Sequence, residues 1–353
     1  MNIEVIDKES IKPLYLQIRE WLMHEAEKNP EFRFPSEREL CRLYGVSRPT
    51  VQKALSYFVE NDLIVRRPGI GTMIRKGRSI SPEAITAVKV VIRSDWVNWE
   101  DDLYFARILA GILACIRNNN RQLTIQQYSD KVQHLLLDSP EICSLWLSPE
   151  VAEIDAMKTL AQNGHKVIAI NREIDYPNIS YSTTDHEMGA RMAVKYLLEK
   201  GHRDILFVGS LLDHQINEKR YQGFLAAQRD VSLIPSFMPV NIASVDFRKD
   251  LEEQLKNVFS AVEKPSAIFL SNGHLQTELV DILDKLGLNM PEDVSVVSYD
   301  DFEDISERLG MTVVRQQLSK ISKRAFKAIH DQETVKEKVK PAIIERRSVK
   351  SLT

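Results

Sequence analysis

Ten lysines and arginines fall between residues 32 and 80, against four carboxylates, Glu37, Glu39, Glu60 and Asp62. That surplus of six sits in a chain of net charge −3, so the rest of the molecule carries −9. A basic segment on an acidic chain is the footprint expected of a polyanion partner for that segment alone. A solvated basic surface accounts equally well for the charge taken by itself. Other chemistries find little to work with. There is no GxSxG, no GxxxxGKS and no HExxH, so no nucleophile elbow, phosphate cradle or catalytic metal is expected. The eight histidines show no zinc-ligand spacing. Cys41, Cys115 and Cys143 are an odd, widely spaced set without a CxxC, which fits a reducing cytoplasm rather than a disulfide framework. No cofactor is expected.

The elements that position the basic residues can be read from spacing. Residues 10–28 place Leu14, Ile18, Trp21, Leu22 and Ala26 near helical period. Ser36 followed by Glu39 is a capping box that opens a second helix, closed near Gly45. Ser47 caps a third, with Pro49 in its first turn and Val51, Ala54, Leu55 and Phe58 as the buried stripe. Residues 63–67 and 72–74 read as two strands around a Pro68-Gly69-Ile70-Gly71 turn. Helix, helix, turn, helix and a two-stranded ribbon make a winged helix-turn-helix plan over residues 1–76. Residues 77–87 are polar and contain Pro82, as a linker does.

From Val88 the rhythm changes. Apolar strand-like runs recur at 88–92, 123–127, 143–147, 166–170, 205–208, 267–270 and 294–297, most of them separated by helical stretches. Alternation of this kind over residues 88–353 predicts parallel sheets with helices on both faces, arranged as two lobes. With 43% hydrophobic residues, no low-complexity tract, no run of about 20 apolar residues and no signal-peptide pattern, a soluble, cytoplasmic protein without a membrane partner is expected.

The strings Pro35-Ser-Glu-Arg-Glu-Leu40, Tyr44-Gly-Val-Ser-Arg-Pro-Thr-Val51 and Arg66-Arg-Pro-Gly-Ile-Gly-Thr72 resemble the GntR family of bacterial transcription regulators. The resemblance covers about residues 10–75. It implies that Arg38 on the second helix and Arg48, Thr50 and Gln52 on the third contact duplex DNA. Arg48 has the two-donor geometry that suits guanine O6 and N7. Ser47 is placed to reach a phosphate, and Gly69 lets the wing backbone approach the minor groove. Pro68 removes one N–H at the wing tip.

Residues 88–349 resemble the effector domain of the LacI/GalR regulators, itself similar to periplasmic sugar-binding proteins. The strings are Thr184-Asp-His-Glu-Met-Gly-Ala190, Gly201-His-Arg-Asp-Ile205, Arg220-Tyr-Gln-Gly-Phe224, Pro291-Glu-Asp-Val-Ser-Val-Val-Ser-Tyr-Asp-Asp301 and Thr312-Val-Val-Arg-Gln316. A GntR-type head on such a body resembles the arabinose-responsive branch of these regulators. The fold implied is α/β: an N-terminal winged helix-turn-helix domain plus a two-lobed, periplasmic-binding-protein-like, Rossmann-type effector domain. The ligand lies between the lobes, at the carboxyl ends of the strands. The matching positions are Arg220, Asn272, Asp300 and Gln316, whose donors and acceptors suit a polyol. Ser94 and one of Trp96 or Trp99 follow the first strand as hydroxyl partner and ring platform, and Arg172 follows the fourth. His214 is placed either to line the cleft or in solvent. Where the family commonly has Asn-Asp, this chain has Asn272-Gly273. Asp185 and Gly189 read as a structural helix start.

Three functions follow as alternatives. One is a DNA-binding regulator gated by a sugar effector and acting as a homodimer on operator DNA, with ligand relieving repression. The second is a DNA-binding head on an enzyme-like body; the third is a ligand-free dimerisation body. The missing catalytic motifs favour the first.

Overall fold

The computed structural model describes the chain apart from residues 1–12, 29–31, 61–63, 68–70, 75–84, 94–101, 118–120, 130–134, 136–137, 140, 211–213, 242–243 and 332. Gly69 of the wing turn, the linker, and Ser94, Trp96 and Trp99 after the first body strand lie outside the described residues.

The head runs α1 (Leu14–Lys28), β1 (Arg33–Phe34), α2 (Glu37–Tyr44), α3 (Arg48–Glu60), β2 (Ile64–Arg67) and β3 (Gly71–Ile74). Both halves of the capping box form. Glu39 N donates to Ser36 Oγ at 3.3 Å and Ser36 N donates to Glu39 Oε2 at 2.8 Å, so orphan N–H groups on both sides of the helix start are met. Gly45 ends α2 at φ 57°, in the left-handed region that favours glycine. The apolar stripe of α3 packs with Ile18, Trp21 and Leu22 of α1, with Phe32 just before β1 and with Phe34 in it. Strand β1 was not legible in the sequence. It pairs antiparallel with β3, which also pairs with β2, making a three-stranded sheet rather than a two-stranded ribbon.

The body has two lobes. Lobe 1 holds β4 (Ala87–Ile92), α4 (Leu103–Ile116), β5 (Gln122–Gln127), β6 (Ile142–Leu147), α5 (Val151–Gln162), β7 (Val167–Ile170) and β8 (Ile179–Thr184). Lobe 2 holds α6 (His186–Glu199), β9 (Ile205–Gly209), α7 (Gln215–Arg229), β10 (Ser236–Pro239), α8 (Phe247–Ser260), β11 (Ala267–Leu270), α9 (Gln276–Lys285), β12 (Ser295–Tyr299), α10 (Glu303–Arg308) and β13 (Thr312–Arg315). The chain then returns to lobe 1 through α11 (Leu318–Ala328) and β14 (Lys336–Val339), and ends in lobe 2 with β15 (Ala342–Ile344). The sheet orders are β14-β8-β7-β6-β4-β5 and β10-β9-β11-β12-β13-β15; pairing is parallel except between β13 and β15.

The lobes are therefore joined by three crossovers, at residues 184–186, 315–318 and 339–342. The strands of lobe 1 bury their apolar side chains against α4 and α11 on one face and α5 on the other. Those of lobe 2 do so against α8 and α9 on one face and α6 and α7 on the other. Asp185 caps α6 by accepting from Met188 N at 3.0 Å, and Gly189 lies against the Tyr299 ring, so both are structural, as expected.

Candidate functional site: a basic head face and an interlobe cleft

Tight packing of α1 against α3 leaves the start of α3 and the outer face of α2 in solvent. Arg48 is 73% exposed at the side chain and donates from Nε to Glu37 Oε2 at 2.9 Å. Gln52 Nε2 donates to the same carboxylate oxygen at 3.3 Å. Glu37 thus gathers two of the expected DNA-contacting residues, and such an exposed pair is worth little and is easily exchanged for another anion. Arg38, Arg48 and Gln52 share a groove of about 790 Å³ with Val59, Ile64 and Thr72. The Ser47 hydroxyl meets that of Thr50 at 2.9 Å, where α3 begins. Arg38, Arg48 and Gln52 therefore share one face, and Ser47 and Thr50 lie at the positive N-terminal end of α3, a geometry fit for a phosphate backbone.

In the body the polar residues gather where the strands end. Tyr299 closes the fully buried β12, and Asp300 follows at φ 67°, a left-handed conformation that costs about 1–2 kcal/mol for a non-glycine residue. Its amide is held by the Val314 carbonyl at 3.0 Å. Asp300 Oδ1 accepts from Gln316 Nε2 at 2.5 Å and Oδ2 from Arg220 at 3.3 Å. Arg220 is 4% exposed; it also donates to the Ser271 carbonyl at 2.5 Å and stacks over the Tyr299 ring, 3.7 Å from its centroid. Gln316 Oε1 in turn accepts from Thr184 Oγ1 at 2.5 Å. Residues 184 and 316 lie at two of the three crossovers, so the chain of bonds from Arg220 runs into the hinge.

His186, at the head of α6, joins this set. Burial first, and the Arg220 charge second, hold its pKa well below the ordinary histidine value. The neutral ring accepts from Arg220 Nε at Nδ1 (3.4 Å), which leaves Nε2 protonated to donate to Asn171 Oδ1 at 2.9 Å. Asn171 also has a left-handed backbone, φ 61°, at the end of β7.

The sequence reading placed Arg220, Asp300 and Gln316 together, and the structure does the same. Asn272 lies beside them; its side-chain carbonyl already accepts from His274 N at 3.0 Å in the short turn before α9, which leaves its NH2 and one carbonyl lone pair for another partner. Arg172 does not stand free: it is 7% exposed and bound to Glu150. His214 lines the cleft, pairing with Glu150 at 2.7 Å. Tyr104, at the start of α4, was missed. Its hydroxyl is buried among Asp300, Ser148, Arg220 and Asp102, and burial, then the Asp300 carboxylate, drives its pKa upward. Asp102 as N-cap, accepting from Tyr104 N at 2.7 Å, is the signal that could have placed it. Asp301, also missed, is fully buried at the side chain and clamped by Arg315 at 2.6 Å and Arg346 at 3.1 Å. Its carbonyl accepts from Arg107 of lobe 1 at 2.6 Å, tying the lobes.

An exposed basic helix face in the head and a polar cleft at strand ends in the body define a DNA-binding head on a sensor-type body. Residues 11–74 match the family model of bacterial regulatory proteins, gntR family, and residues 194–349 that of the periplasmic binding protein-like domain. The chain is thus a GntR-type head on a periplasmic-binding-protein-like body of LacI-type fold. It is 25% identical over 301 residues to an arabinose metabolism transcriptional repressor of Halalkalibacterium halodurans, covering 81% of this chain and 79% of the relative. A repressor of the same description from Geobacillus stearothermophilus is 24% identical over 316 residues, 84% of each chain. Among solved structures, a LacI family transcriptional regulator from Enterococcus faecium with bound ribose superposes with a TM-score of 0.63 at 19% identity, over 75% of this chain and 100% of that one.

Proposed function

We propose that this protein represses transcription by binding operator DNA through its head, and releases it when a sugar or sugar derivative occupies the cleft. The observation that carries the reading is the bond chain Arg220–Asp300–Gln316–Thr184, which links the polyol-type anchors to two hinge crossovers. A ligand that rearranges Asp300 acts on the hinge directly, and closure moves one lobe against the other. The relatives described as arabinose repressors, which share about four fifths of the chain, support the same reading.

In this account residues 1–76 are the DNA-binding unit, 77–87 the linker and 88–353 the sensing and dimerising unit. Arg38, Ser47, Arg48, Thr50, Gln52 and Gly69 contact DNA. Arg220, Asn272, Asp300 and Gln316 hold the ligand, with Ser94, Trp96, Trp99 and Arg172 at the cleft's edge. The body senses and does not catalyse, and the protein works in the cytoplasm. It acts as a homodimer, because two heads must meet two half-sites. The solvent face of α4 fits that role: Leu103, Ala106, Ala110, Leu113 and Ala114 form an exposed apolar stripe along it.

Thermal melting against a panel of sugars tests the reading. One sugar should raise the midpoint, and Asp300→Ala should weaken its binding by about 2–5 kcal/mol, by stranding Arg220 in a buried site. No shift with any sugar selects a ligand-free dimerisation body instead.

A further inference from the structure

Three consecutive residues after β7 of lobe 1 are each tied to the start of α7 in lobe 2. Asn171 is bonded by His186, which is bonded in turn by Arg220 of α7. Arg172 is bonded to Glu150, which accepts from His214, the residue before α7. Glu173 is bonded directly: its N–H donates to Gln215 Oε1 at 2.9 Å and its carbonyl accepts from Gln215 Nε2 at 3.0 Å. The Glu173 carboxylate lies 3.9 Å from Lys219, one turn further along α7, and 2.8 Å from Lys338, which precedes the third crossover.

The Gln215–Glu173 contact has a feature the other two lack. The carboxamide takes the place of a neighbouring strand: it meets both main-chain groups of one residue, and a single orientation of its oxygen and nitrogen satisfies both. Among the described residues neither main-chain group has another hydrogen-bond partner. Parting the lobes therefore sends both to water together. Each bond is worth about fivefold in the ratio of closed to open lobes, and the pair about 30-fold. Helix α7 carries the constraint onward. It is one continuous helix of 15 residues that includes Arg220, about 7.5 Å along the axis from Gln215. A contact that holds Gln215 to lobe 1 thus also holds the main polyol anchor at a fixed distance from lobe 1.

We propose that Gln215 and Glu173 form an interlobe clasp that sets the ratio of closed to open cleft, and with it sugar affinity, without touching the sugar. Both bonds of the clasp join groups of this chain, so it acts before a ligand arrives as well as after. Gln215 is a positioning residue: it acts through α7 on Arg220. The effect on affinity rests on the sugar-sensing reading, and the clasp itself has a readout that does not.

Amide-resolved hydrogen exchange on the full chain without sugar reads the clasp, because the Glu173 N–H is protected only while Gln215 accepts from it. The variant is Gln215→Ala, which leaves a good helix former at the start of α7. Its Glu173 amide should exchange about threefold or more faster than that of the parent protein. Calorimetry with the sugar found in the melting panel should show affinity lowered about 3- to 30-fold, since apparent affinity scales with the closed fraction. Operator binding without sugar should be as tight in the variant as in the parent, or tighter, because the closed form is the one that releases DNA. Equal exchange at Glu173 in the two proteins overturns the proposal. So does equal sugar affinity, or weaker operator binding in the variant; all three leave the sugar-sensing reading standing. If no sugar binds either protein, the sugar-sensing reading falls and the exchange comparison alone decides the clasp.

Discussion

His165 shows what burial does to one side chain. It sits past the end of α5, 6% exposed, and desolvation pushes its pKa down to about 4. The unfolded chain takes up the proton near pH 6.5, the folded one only near 4. A depressed folded value means stability that is full above pH 6.5 and is lost as pH falls toward 4, on the order of 3 kcal/mol over that window. His186 acts in the same direction, for the same cause. Urea unfolding midpoints measured from pH 7 to 4 should therefore fall less steeply in His165→Gln than in the parent. An equal slope in the two would show that His165 is not the buried neutral ring described. At the same scale, the cleft needs Asp300 and Asn171 in left-handed backbone, and the Asp300 carboxylate spans Arg220 and Gln316.

At the scale of elements, Gly273 explains a departure in sequence. A Cβ there would lie 2.8 Å from both the Asp300 Cβ and the Tyr299 carbonyl oxygen, so the turn after β11 can close on Asp300 only without a side chain. The missing carboxylate is the geometric condition for this packing. Gly273→Ala should shift the Asp300 loop and weaken sugar binding, with a stability loss of about 1–3 kcal/mol from overpacking. Unchanged ligand affinity in that variant, by calorimetry, would mean that the loop relaxes without moving Asp300. The same scale shows what sequence could reveal. The Ser36–Glu39 box and Gly45 were legible because caps are local. The apolar strands β4, β6, β7, β9, β11 and β12 were legible because both faces are buried. Strand β8 was not: four of the six residues Ile179–Thr184 are serine or threonine, yet all are buried. Two of its hydroxyls are met from far along the chain, Ser180 by Val335 N at 3.1 Å and Thr184 by Gln316. Strands β14 and β15 are short, and their pairing with β8 and β13 is not written in their own residues. Arg220, Asp300 and Gln316 came from motif resemblance. The Glu150 cluster joins segments 22 to 64 residues apart, which no local spacing reveals.

Taken whole, the molecule has a basic head and a hinged body with opposed duties. Under the proposed reading, the three crossovers are the hinge about which the lobes rotate. Arg107 to the Asp301 carbonyl, Gln215 to Glu173, and His214 to Glu150 all bridge the lobes, so closure is set by a few polar contacts beside the cleft. Contact also runs from head to body. Tyr57 of α3 packs into a cluster shared with Tyr128 and Leu135 of lobe 1, and burial together with the Asp138 carboxylate pushes its pKa up to about 12 against the opposing Arg19 charge. Under the proposed reading, this contact is where lobe movement would reach the head. The coupling must be reciprocal: what ligand does to DNA affinity, DNA does to ligand affinity. The central claim is tested most directly by the affinity of the full chain for a duplex selected from random sequence, read by fluorescence anisotropy with and without the saturating sugar found in the melting panel. The account predicts binding weakened about 5- to 150-fold by the sugar. Affinity unchanged or tightened by a sugar that demonstrably occupies the cleft would contradict it.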